Sequence, residues 1–111
     1  MRWLLVSIAL AGCEPTPPAD GPADGAAVYG KYCIGCHGPT GKPTAQMIAT
    51  LNVRDLTAPE LRARITASLV EAQVRNGSQN TLMPAFERVI PGPQIKAVAA
   101  YVASSAFLTP R

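Results

Sequence analysis

The chain has few of the side chains that most metal, redox and nucleic-acid sites require. Among 111 residues there is one histidine, His37, and there are three cysteines, Cys13, Cys33 and Cys36. A closed structural zinc site takes four Cys or His ligands. These four residues would all be needed for one, and Cys13 lies apart from the others, next to the apolar N-terminal run. Runs of alternating or β-branched residues are also missing, so the Cys33/Cys36 pair lacks the βαβ setting of a thioredoxin-like motif. Aromatic residues make up only 5% of the chain. Its Lys and Arg are scattered, which argues against nucleic-acid binding. The longest apolar run, Trp3 to Leu10, is too short to cross a bilayer, which takes about 20 residues.

That apolar run follows Arg2 and leads into small residues, the pattern of a secretory signal. Leu10-Ala11-Gly12-Cys13 resembles the lipobox of bacterial lipoproteins. The resemblance implies cleavage before Cys13 and lipid attachment to its sulfur; the alternative is an ordinary signal cut after Ala11. Residues 1–12 are then a removable signal peptide. Residues 13–24 are the lipidated cysteine and a Pro-rich linker without a large apolar residue. Such a linker extends at about 3.1 Å per residue and reaches on the order of 30 Å. Residues 25–111 remain as one small domain. This domain carries nine Lys and Arg against four Asp and Glu, a modest basic excess.

The domain contains Cys33-Ile34-Gly35-Cys36-His37. Two thiols at this spacing can bond to the two vinyl groups on one edge of a porphyrin, and a histidine directly after them can ligate its iron. The motif predicts one covalently bound haem c, with Cys33 and Cys36 as attachment points and His37 as an axial ligand. Bis-histidine ligation within the chain is excluded, because no second histidine exists.

The rest of the domain reads as helical. Asp24 is a predicted N-cap for a first helix carrying Val28, Tyr29 and Tyr32. Thr57-Ala58-Pro59-Glu60 reads as a capping box. The helix after it would place Leu61, Ile65, Leu69 and Ala72 on one stripe and end at Asn76-Gly77. A last helix from near Pro93 would bury Ile95, Val98, Ala99, Val102 and Ala106. A short helix over residues 44–50 is also predicted.

Gly25, Tyr29 and Cys33 at four-residue steps, together with Val98 and Tyr101, resemble the class I cytochromes c. The resemblance implies an all-α, cytochrome c-like fold of three to four helices around one haem, in which the glycine lets two helices cross closely. It also implies a methionine as second axial ligand in a loop before the last helix, matched by Met83 with Pro84 after it. Met47 is the competing candidate. His37 should donate its ring N–H to a backbone carbonyl, expected from the Pro39–Pro43 stretch. Arg54 is a candidate contact to a haem propionate.

With both axial positions filled, the implied role is single-electron transfer between respiratory redox partners, not enzymatic turnover. The setting would be the periplasmic side of a bacterial membrane, with the domain held there by lipid. The basic surface suits an acidic redox protein, and the chain would act as a monomer or as a subunit of a complex. The alternatives are a haem enzyme or gas sensor with a displaceable sixth ligand, or the electron-entry subunit of a larger oxidoreductase. The lipobox reading has a direct consequence: bacteria expressing the chain and fed labelled palmitate are expected to label it, and Cys13→Ala is expected to abolish the label.

Overall fold

The computed structural model describes residues 24–80 and 82–109. The signal segment, Cys13 and the linker before Asp24 lie outside the described residues. Among the described residues every regular element is helical, as expected for an all-α domain. Asp24 caps α1 (Gly25–Tyr32) by accepting the Ala26 N–H at 2.9 Å. One residue later α2 (Ile34–His37) carries the motif. The predicted short helix is α3 (Ala45–Leu51), where the Thr44 hydroxyl accepts the Met47 N–H at 3.2 Å. Single-turn α4 (Pro59–Arg62), α5 (Ala67–Asn76), α6 (Gly92–Ala103) and a 3-10 turn (Ser105–Leu108) complete the order.

The predicted helix from the Thr57 box to Asn76 is two helices. Thr57 turns both its N–H (2.8 Å) and its hydroxyl (2.6 Å) onto the Asp55 carboxylate, leaving Ala58 at the cap position without a side-chain bond. The chain leaves helical geometry after α4. It restarts at Thr66, whose hydroxyl accepts the Leu69 N–H at 3.1 Å. A polar N-cap at that point resets the helical register. Val70 and Val74 now pack inward, whereas Leu69 is 56% exposed and Ala72 is also exposed. The stripe of Leu61, Ile65, Leu69 and Ala72 is therefore broken after Ile65. The end at Asn76-Gly77 is as predicted.

Helix α6 packs against both α1 and α5. It buries Ile95, Val98, Ala99 and Val102, as its periodicity predicts. Ala106 is not on that face. The Ser104 hydroxyl and N–H both donate to the Tyr101 carbonyl, at 2.7 and 3.1 Å, and close the helix. The following turn then buries Phe107 and exposes Ala106. Arg62 secures this corner from α4. Its guanidinium donates to the carbonyls of Leu56 (3.3 Å), Val102 (2.7 Å) and Ser104 (3.0 Å) and lies over the Phe107 ring. A cation at a helix C-terminus satisfies carbonyls that have no partner within the helix.

Gly25 sits where α1 crosses α6. A Cβ there would fall 2.3 Å from the Ala97 carbonyl oxygen and 2.6 Å from the Tyr101 Cβ. The backbones can approach this closely only with hydrogen at that position. Beside the crossing, Tyr29, Tyr101 and Phe107 form three mutual edge-to-face contacts, with ring centroids 5.2 to 6.2 Å apart. Such pairs add about 0.5–1.5 kcal/mol each beyond area burial.

Gly25→Ala is expected to lower unfolding free energy by about 1–3 kcal/mol through overpacking. Gly30→Ala on the same helix, where a Cβ meets only the Ile34 side chain at 3.8 Å, is expected to raise it by up to about 1 kcal/mol. Denaturant titration of both variants checks the pair.

Candidate functional site

The motif occupies the junction of α1 and α2. Its backbone continues helically, with the Cys33 N–H donating to the Tyr29 carbonyl (2.9 Å) and the His37 N–H to the Cys33 carbonyl (2.9 Å). Residues three and four apart on a helix share a face, so Cys33, Cys36 and His37 lie on one side of this turn. Cys33 is half-buried and Cys36 exposed, and both thiols are free of disulfide. Among the described residues no three or more His, Cys, Asp or Glu side chains converge on a point that could hold a bare metal ion. Burial, aided by the charge of Cys36, pushes the Cys33 thiol up to about 11. Reactive redox cysteines are shifted in the opposite direction. Cys33 therefore lacks the lowered ionisation of a redox nucleophile.

His37 is half-buried, and its Nδ1–H donates to the Arg54 carbonyl at 3.2 Å. The bond expected from the Pro39–Pro43 stretch comes instead from farther along the chain. Asn52 ends α3 in the left-handed region (φ 52°) and turns the backbone around. The Leu56 N–H then donates to the Gly41 carbonyl at 2.9 Å, bringing residues 52–56 against the loop after the motif. Burial holds the imidazole below its usual pKa, partly offset by the Arg54 bond. The neutral ring with Nδ1 committed leaves Nε2 available to coordinate a metal. The Arg54 side chain is exposed.

Met83 lies in the loop between α5 and α6, half-buried against the core. Gly77 underlies this loop at φ +67°, and a Cβ there would fall 2.5 Å from the Met83 carbonyl oxygen and 2.8 Å from the Ala85 nitrogen. Ser78 bonds Met83 twice: its N–H donates to the Met83 carbonyl and its hydroxyl accepts the Met83 N–H, both at 3.0 Å. The Phe86 N–H donates to the Val74 carbonyl at 2.9 Å, fastening the loop to α5. Tyr32, next to Cys33, meets Phe86 edge-on at 6.1 Å. That contact joins the end of α1 to the methionine loop. Met47, the competing methionine, sits within α3.

Sequence reasoning missed Ser78, Gly77 as a floor for the loop, and the Arg54 carbonyl as the acceptor for His37. Only Gly77 left a signal there, as a glycine ending a helix. The donor set suits a covalently held haem: two free thiols on one helical face, an imidazole with its second nitrogen occupied, and a thioether on a braced loop.

Tyr29 ties the motif to the core. Its hydroxyl donates to the Gly38 carbonyl at 2.6 Å. Burial, and after it the nearby Cys33 and Tyr101, hold its ionisation well above the usual tyrosine value. An unfolded tyrosine ionises near pH ~10. The stability contributed by the neutral phenol is thus complete below that pH and declines as pH rises beyond it. Tyr29→Phe is expected to cost about 0.5–1.5 kcal/mol at neutral pH and to flatten the alkaline decline, as measured by urea unfolding across pH.

The family described as cytochrome c oxidase, cbb3-type, subunit III matches residues 20–102. Cytochrome c6 of Nostoc sp. (strain PCC 7120 / SAG 25.82 / UTEX 2576) is 37% identical over 106 residues, covering 93% of this chain and 89% of the relative. A solved structure, the KustC0563 c-type cytochrome, superposes with a TM-score of 0.63 at 26% identity, covering 72% of this chain and 94% of its own.

Proposed function

Since the chain belongs to the class I cytochromes c, carries covalently bound haem c and serves electron transport, we propose that it is a membrane-tethered single-electron carrier between respiratory redox partners. Cys33 and Cys36 would hold the haem through thioether bonds, and His37 and Met83 would ligate its iron. The haem supplies reversible one-electron exchange at its iron. The protein's part is to hold both ligands so that little has to move when the charge changes. His37 does so through the Arg54 carbonyl, and Met83 through the braced loop. Arg54 pairs with a propionate, an assignment that rests on its charge and its place beside His37.

The observation that carries this reading is the Tyr32–Phe86 contact. It links the segment bearing the thiols and imidazole to the segment bearing the thioether, although they are far apart in the chain. A neutral thioether favours ferrous iron and raises the potential relative to harder ligands. It also leaves no open position for a substrate, which supports a carrier over an enzyme.

The family's haem domain is extracytoplasmic. Among the described residues no helix is long and apolar enough to cross a membrane. Attachment in this proposal is by lipid on Cys13, read from Leu10-Ala11-Gly12-Cys13, which lies outside the described residues. Anchoring would raise the effective concentration near membrane-bound partners, and the basic excess suits an acidic docking face. The matched family's description as an oxidase subunit favours a second reading, an electron-entry subunit of a larger complex. Purification from detergent as a single chain or with fixed companions separates the two.

The ligation has its own test. The ferric wild type is expected to show a thioether-to-iron charge-transfer band, and the ferrous protein to bind carbon monoxide poorly. Met83→Ala is expected to lose the band, lower the potential and bind carbon monoxide readily. A Met83→Ala spectrum and potential identical to wild type would rule the ligand out.

A further inference from the structure

We propose that Ser78 is the positioning residue that keeps the Met83 thioether on the iron, an inference that rests on Met83 being the axial ligand. A loop presenting a ligand without regular secondary structure needs its backbone held by other means. Here Ser78 supplies two bonds to one residue, its N–H to the Met83 carbonyl and its hydroxyl oxygen to the Met83 N–H. Serine suits this because one hydroxyl can accept and donate at once. The donated hydrogen goes to the Asn80 side-chain oxygen at 2.5 Å, which aims the oxygen's lone pairs at Met83. The same Asn80 oxygen accepts the Leu82 N–H at 3.2 Å. Pro84, directly after Met83, has no N–H to share the task. The next fastening to α5 is the Phe86 N–H on the Val74 carbonyl. Backbone movement that carries the thioether off the iron therefore strains the Ser78 bonds.

Replacing Ser78 by alanine deletes the hydroxyl and leaves its own N–H in place. Loss of one neutral hydrogen bond from the closed loop raises the detached fraction about fivefold. Carbon monoxide can bind ferrous iron only when the thioether is off, so its association rate reads that fraction. The experiment uses the haem-loaded chain as wild type, Ser78→Ala, Ser78→Thr, Asn80→Ala and Met83→Ala. Carbon monoxide association and the ferric charge-transfer band are followed under conditions where all are folded.

Ser78→Ala is expected to speed association about fivefold and weaken the band, and Ser78→Thr, which keeps the hydroxyl, to restore both. Asn80→Ala is expected to act in the same direction by a smaller factor, and it gives the reading if Ser78→Ala does not fold. A purely structural serine would lower unfolding stability and leave the native association rate unchanged. An unchanged rate and band in Ser78→Ala (or in Asn80→Ala, if Ser78→Ala does not fold), with the band lost in Met83→Ala, overturns the role of Ser78 and leaves the ligand standing. A wild type without the band that binds carbon monoxide as fast as Met83→Ala overturns both.

Discussion

The close crossing of α1 over α6 at Gly25 is the constraint on which the rest of the domain depends. The backbones meet at a distance that no side chain at that position would permit. This brings Tyr29 against Tyr101 and Phe107, and three edge-to-face contacts then fix the rotation of one helix on the other. Cys33 follows α1 directly, so the placement of the turn bearing Cys33, Cys36 and His37 is inherited from that crossing. The other face of α6 packs on α5, whose C-terminal end carries Gly77 and the methionine loop. One helix thereby supports both halves of the site.

The site's own groups are held by local bonds added to that frame. His37 leans on the carbonyl of Arg54, brought there by the left-handed turn at Asn52 and the Leu56–Gly41 bond. Met83 leans on Ser78. Neither anchor is itself an expected ligand: Arg54 acts through its backbone carbonyl, and Ser78 through its backbone N–H and its hydroxyl. A site of this kind suits electron transfer, in which rigid ligands keep the geometry similar in both oxidation states. The half-buried imidazole belongs to the same environment, in which partial burial disfavours its charged form.

The far corner shows a different use of charge. Arg62 places its guanidinium at the end of α6 and satisfies three carbonyls there. Its contact with Phe107 ties that cap to the aromatic cluster beside the α1–α6 crossing. A residue that reads as one of several scattered surface cations is in fact half-buried and structural. Counting it toward a basic docking face would therefore overstate that face.

What the sequence determined by itself was whatever depends on near neighbours. Cys33, Cys36 and His37 share a face because helical spacing puts them there, Asp24 and Thr44 lie at the starts of their helices, and the α6 stripe from Ile95 to Val102 has the right period. Gly25 with Tyr29, and Val98 with Tyr101, were legible as a crossing through their resemblance to the class I cytochromes c. The tertiary structure decided what depends on residues distant in the chain or on competing local bonds. Thr57 bonded Asp55 instead of capping a helix, and Thr66 restarted the chain in a register that turned Leu69 outward and Val74 inward. Ser104 stopped α6 and gave the Ala106 position in the core to Phe107. Arg54, and not the Pro39–Pro43 stretch, came to His37, because a backbone carbonyl carries no sequence signature. Any residue can offer one, and only the fold selects which is within reach.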